Sequence, residues 1–326
     1  MELSDITYLI LAFCGGMIGT SLGGLNAFVL CGLSAVIGTV YAMITGDQSF
    51  NQYITWGPLL SPHIAFGGAV AGAAYAAKIK KIETGRDISS ALMGINQPSV
   101  LLIAGGFGML GEVVRRGLIL LPSVEGLPAT NEIAMALIVS GLVVRLLFGK
   151  TGLFGSLQPN QSRWKTDVSA EWQPWSLPSL QLVLVGIAFS LPAAFINNTI
   201  PDSTGLIFGF AAISLIFFQA GATIPVTHHI VLAAEYATVI TGNLWWGACF
   251  GLLSAFVAEL AACLFLTHGD THIDPPAIAL IVIYSLLPLL LSTTSIFQFV
   301  GYVPVSLFFL LAVLGLLFFR WLKGKA

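Results

Sequence analysis

His228, His229 and Glu235 fall within one apolar run, and Glu259 stands in the next. Seven residues separate His228 from Glu235, nearly two turns of an α-helix, so a helix presents both on one face. An ionisable side chain inside a membrane costs about 2.5 kcal/mol or more, so such residues mark ion or solute pathways before they mark anything else. A carboxyl taken out of water favours its neutral form and imidazole titrates near neutrality, which makes proton relay or cation coupling the chemistry on offer. The bland counterpart is that these groups pair with helix backbones or one another and only lock the bundle. Asn26 occupies the position of His228 in an internal repeat set out below, a neutral group against a titratable one.

Glu112 precedes Arg115 and Arg116 by three and four residues, the spacing of an intrahelical ion pair. It reads first as an anchored pair with arginines snorkelling to the interface, and alternatively as an outer electrostatic gate. His63, after Ser61-Pro62, reads as a helix-start residue. The densest pattern is His268-Gly-Asp270-Thr-His272-Ile-Asp274. Alternating imidazoles and carboxylates suit zinc, manganese or another borderline divalent cation, the candidate cofactor here. Asp274 before Pro275-Pro276 is equally a helix cap followed by proline in the first turn.

The elements that must position these groups follow from composition. Of 326 residues, 56% are hydrophobic and 9% charged, against roughly 25% charged in soluble domains. Apolar runs long enough to cross ~30 Å of hydrocarbon recur along the chain. Eleven candidate spans emerge, near 6–23, 26–45, 62–81, 98–120, 131–149, 178–196, 203–220, 224–241, 244–267, 275–292 and 296–320. The pairs one/two and seven/eight, divided only by Gly23-Gly24 and by residues 221–225, read either as full spans or as broken helices lining a cavity. The expected class is an all-α polytopic membrane protein. Cys14, Cys31, Cys249 and Cys263 lie in apolar segments and read as small hydrophobes. The acidic start Met1-Glu2-Leu3-Ser4-Asp5 lacks the basic region of a cleaved signal, so the first apolar stretch reads as a retained span.

Basic residues orient the spans. With eleven crossings, Lys78, Lys80, Lys81, Arg86, Arg145, Lys150, Arg163, Lys165, Arg320, Lys323 and Lys325 share one side, and only Arg115 and Arg116 fall opposite. The positive-inside rule places the N-terminus outside and the C-terminus in the cytoplasm of a prokaryotic inner membrane. The hydrophilic loop 151–177 carries Trp164, Trp172 and Trp175 and reads as an interfacial linker.

Two ladders of small residues, Gly68/Gly72/Ala76 and Gly247/Gly251/Ala255, make flat faces for close helix packing. Each is followed on the same rung by an ionisable residue, Lys80 or Glu259, and Thr45-Gly46-Asp47 resembles Thr241-Gly242-Asn243. These matches point to a duplication. Pairing the third span with the ninth gives two five-helix repeats in parallel orientation joined by a linker helix. The expected division is residues 1–150 as the first repeat, 151–202 as loop and linker span, and 203–326 as the second repeat.

Phosphate-binding loops, kinase signatures and HExxH peptidase motifs are absent, and no basic stripe suits nucleic acid. The expected function is a permease or channel for a small ion or solute, with the lipid bilayer as partner and a homo-oligomer compatible with the sequence. Its pathway would run between the repeats near Asn26, Glu112, His228, His229, Glu235 and Glu259. The alternatives are a metal-dependent intramembrane enzyme using residues 268–274 and a non-catalytic membrane subunit or scaffold.

Overall fold

The computed structural model describes residues 3–159, 161–164 and 178–324. Within them the regular structure is helical: α1 (Leu3–Leu22), α2 (Gly24–Thr45), α3 (Ala65–Lys78), α4 (Pro98–Ile119), α5 (Glu132–Phe148), α6 (Ser179–Thr199), α7 (Thr204–Ile213), the single turn α8 (Ile216–Gln219), α9 (His228–Thr241), α10 (Leu244–Ala261), α11 (Pro275–Thr293) and α12 (Tyr302–Gly324). Seven segments, among them α10 prolonged by a π-turn to Leu266, are long and apolar enough to cross a membrane. That marks an α-helical integral membrane protein. The others are shorter. α3 and α9 have 14 residues each, about 21 Å of helix against ~30 Å of hydrocarbon.

Local chemistry sets the boundaries. Gly23 adopts φ 91° between α1 and α2, a conformation open to glycine, so two helices form there instead of one long one. Asn131 and Asp274 cap α5 and α11 by accepting from the backbone N–H groups of Ala134 and Ala277. Pro275 then sits where a missing N–H costs nothing. After α8 the chain has no regular structure over 222–227, and α9 begins at His228.

Packing divides into two similar clusters. α1 lies on α3 and α4, which touch each other, and α6 lies on α9 and α10, which touch each other. The clusters meet where α2 runs along α7 and where α5 meets α11. Both contacts are antiparallel. Gly32 approaches Gly209 and Ile213 while Thr39 faces Gly205, and Arg145 near the end of α5 reaches Thr271 just before α11. The glycine ladders are close-packing faces, as the spacing predicts. A methyl added at Gly68 would meet the Gly16 backbone of α1, and one at Gly251 would meet Ser190 of α6 and Ala234 of α9.

One end of the bundle gathers the loops 79–97, 151–164 and 267–274. Gly85 bridges to Thr271, Arg86 donates to the Thr267 carbonyl at 2.7 Å, and Ser156 N–H donates to the His268 carbonyl. Arg145, only 2% exposed, donates to the carbonyls of Gly152, Leu153, Phe265 and Thr271 and to the Thr271 hydroxyl. Trp172, Trp175, Lys165 and Lys325 lie outside the described residues. Trp164 packs beside the α10–α12 cluster.

Candidate functional site

The first halves of the antiparallel α5 and α11, with the start of α9, flank a partly open cavity of about 200 Å³. It is lined by Asn131 and Asp274, the two helix caps, by His228, and by the rings of Phe28, Trp56, Phe208 and Tyr284. A second space of about 60 Å³ adjoins it and shares Phe28, Leu137, His228 and Asp274. This second space extends past Phe66 and His272 to Ser89 and Phe218, next to the loop end that holds Arg86. The walls are aromatic: Phe28 stands 4.6 Å from the His228 ring, 5.7 Å from Phe208 and 6.0 Å from Phe66, centroid to centroid. Trp56 lies 5.1 Å from Phe208.

His228 is 7% exposed and its Nδ1 makes no hydrogen bond. A buried ring nitrogen without a protein partner costs free energy unless a water, proton or solute meets it. Asp274 is engaged twice, Oδ2 accepting from the Ala277 N–H at 2.9 Å and Oδ1 lying 3.3 Å from His272 Nε2. The cavity is thus a hydrophobic box with one imidazole, one carboxylate and one amide set into its wall.

Of the residues expected to line a pathway, the structure puts His228 in this cavity and the others elsewhere. His229, next in the chain, is not among the residues lining it, and its main-chain carbonyl accepts from Ser254 Oγ on α10. Glu235 is fully buried on α9 with neither carboxyl oxygen hydrogen-bonded, and it is not among the residues lining the cavity. Its neighbour Tyr236 stacks on Tyr284 at 3.7 Å. Glu259 pairs with Lys323 of α12 at 2.6 Å, so it ties α10 to the last helix. Asn26 accepts from Gln219 at the end of α8, and Gln219 also donates to the Ser89 carbonyl, a polar link at the bundle end.

Glu112 is fully buried. It accepts from Arg115 and Arg116 as its spacing predicts, and it also lies 3.1 Å from His63 Nε2. Arg116 continues to Asp5 at 2.8 Å. His63 is therefore more than a helix-start residue, because Ser61 Oγ and Glu112 bracket both of its ring nitrogens.

The residues 268–274 do not meet as one ligand set. His268 Nε2 faces the Arg163 carbonyl, and Asp270 accepts from the Lys150 N–H and the Thr151 hydroxyl. His272 faces Asp274, which caps α11. Among the described residues no group of three or more His, Cys, Asp or Glu side chains is placed to hold a metal ion. The extended run that would align all four is broken by turns, and each polar group is spent on fastening a loop. Burial also pushes the His268 imidazole below its ordinary range.

Three contributors carried no sequence signal of their own: Asn131 and Trp56 in the cavity wall, and Arg145 in the loop network. Arg145 reads as one more positive-inside charge, although its partners lie up to 126 residues away. No curated protein and no solved structure matches the chain. One family model does, and it matches twice, over residues 1–166 and again over 155–306. The chain belongs to that family, a family of unknown function designated DUF7973.

Proposed function

We propose that this protein is a permease: eleven helical crossings arranged as two five-helix repeats of inverted orientation, with a small-solute pathway through the cavity between them. The repeats in this reading are α1–α5 and α6–α11, and α12 stands outside both. The register differs from the parallel one that the glycine ladders suggested. It sets Phe107-Gly108-Met109-Leu110-Gly111 on Phe250-Gly251-Leu252-Leu253-Ser254. At the same offset it sets Asn131-Glu-Ile-Ala-Met-Ala-Leu-Ile-Val on Asp274-Pro-Pro-Ala-Ile-Ala-Leu-Ile-Val. His63-Ile64 then matches His229-Ile230, and the Gly111 and Ser254 positions both lie against the carbonyl of the matching histidine. In the helices that face each other, Leu30-Cys-Gly-Leu-Ser-Ala-Val matches Ile207-Phe-Gly-Phe-Ala-Ala-Ile.

Equivalent helices are five crossings apart in this register. An odd number reverses direction, which agrees with the antiparallel pairs α2/α7 and α5/α11. The double match of the family model supports the duplication. The basic loops at one end of the bundle make that end cytoplasmic in a prokaryotic inner membrane, with the N-terminus outside.

One observation carries the functional reading. The cavity is lined by both members of four equivalent pairs: Pro62 and His228, Asn131 and Asp274, Ala134 and Ala277, Leu137 and Leu280. A site between repeats, bounded in part by a helix too short to cross the membrane by itself, here the 14-residue α9, is in keeping with how inverted-repeat transporters hold their solutes. The test is stopped-flow swelling of proteoliposomes against a panel of small amines, carboxylates and neutral solutes. Solute-dependent swelling above that of empty vesicles is expected, and Leu137→Trp, which fills the cavity, should abolish it while melting like wild type. Protein-containing vesicles that swell no faster than empty ones for every solute would reject the proposal.

A further inference from the structure

We infer that the cavity takes small organic monocations, protonated amines with a compact hydrocarbon body, held by the Asp274 carboxylate and the surrounding rings. This rests on the reading of the cavity as the solute site. The first support is the charge of the walls. Among the described residues lining the two connected spaces, Asp274 is the one with a formal charge, and neither lysine nor arginine is present. An anion would find a like charge and no cationic partner.

The helix starts do not reverse that sign. An N-terminus offers roughly half a positive charge, which at α11 is outweighed by the full negative charge of Asp274. At α5 the cap is the neutral Asn131. That contrast is informative in itself. Asparagine caps a helix about as well as aspartate, and Asn131 does so at the equivalent place, so capping alone does not call for a carboxylate at 274. The charge is not required by the cap; the carboxylate also faces His272 Nε2 at 3.3 Å.

The walls match the rest of such a ligand. The rings of Phe28, Trp56 and Phe208 flank the space within mutual contact distance, and the face of an aromatic ring attracts an ammonium within about 6 Å. His228 brings an Nδ1 with no protein partner, which in the neutral ring can accept an N–H when the other nitrogen carries the proton. A space of about 200 Å³ is of a size to admit a small molecule.

Benzylammonium, with benzoate and benzyl alcohol as anionic and neutral partners of the same shape, tests the inference by titration calorimetry on the full-length protein in detergent, against empty micelles. Benzylammonium should bind at least about tenfold more tightly than either partner, a difference of ~1.4 kcal/mol. Asp274→Asn should remove that preference while keeping the wild-type melting temperature, because the cap survives. Trp56→Leu should weaken the amine alone. The inference falls if benzoate or benzyl alcohol binds as tightly, if Asp274→Asn leaves amine affinity unchanged, or if no probe saturates by about 10 mM. Selective binding without vesicle swelling would instead reject the permease reading and leave the ligand class standing. Swelling without amine preference would do the reverse.

Discussion

Arg145→Ala should unfasten the basic end of the bundle. The guanidinium is buried and donates to four carbonyls and one hydroxyl, from the segments 152–153, 265 and 271. Hydrogen bonds from a charged donor contribute roughly 1.5–3 kcal/mol each, but acceptors released near an interface find water and the five are not additive. Buried acceptors left unsatisfied cost about 1–3 kcal/mol each when water cannot reach them, so a total of about 3–5 kcal/mol is the expected magnitude. For a chain of 326 residues it lowers the melting temperature in detergent by roughly 4–7 °C. Arg145→Lys keeps the charge but offers three donors to five acceptors, so it should fall between, at about 2–3 kcal/mol. Gly269→Ala approaches the same loss from the other side, because a methyl there overlaps the guanidinium. Scanning fluorimetry reads the melting temperatures, and limited proteolysis reads whether the segments 151–164 and 262–274 open first. An Arg145→Ala protein melting within about 2 °C of wild type, with unchanged cleavage in both segments, would refute the reasoning.

Two further outcomes follow from packing and pairing. Gly251→Leu should destabilise strongly, by ~3 kcal/mol or more from overpacking, because its position faces Ser190 and Ala234 closely. Gly106→Leu, where nothing lies within 4 Å, should leave the melting temperature near that of wild type, and equal effects at both sites would contradict the packing described. Lys323→Met should cost up to about 3–5 kcal/mol by removing the 2.6 Å contact to the buried Glu259 carboxylate. The double variant Lys323→Met with Glu259→Leu should recover most of that loss in the same melting assay, and failure to recover would mean that the pair is not what joins α10 to α12.

The helical class, the close-packed glycines and the cap at Asp274 were readable from residue type and spacing, because each is a local property. Each of the eleven apolar runs contains a helix, the seventh broken after Ile213 into α7 and α8. Contacts between distant elements were not readable. Nothing in the sequence near His63 points to Glu112, 49 residues on, and Glu259 resembles a deep pathway carboxylate until α12 brings Lys323 to it. The glycine ladders are a poor guide to the register of the proposed repeats, for a physical reason. Small residues every fourth position answer the same packing demand in α3 and α10, so their likeness is generic. The stretch shared by α5 and α11 couples a cap to five identical side chains, which packing alone does not require.

The position of Arg145 along the chain also constrains how the protein is made. Its nearest acceptors, Gly152 and Leu153, are synthesised within seconds of it, but Thr271 lies 126 residues downstream. At about 5–20 residues per second, translation takes roughly 6–25 s to deliver that partner. Through that interval a guanidinium destined for the interior has only part of its shell, so the end of α5 stays at the interface where water can serve. Residues 1–150 therefore lack three of the five Arg145 acceptors until residues 265 and 271 have been made.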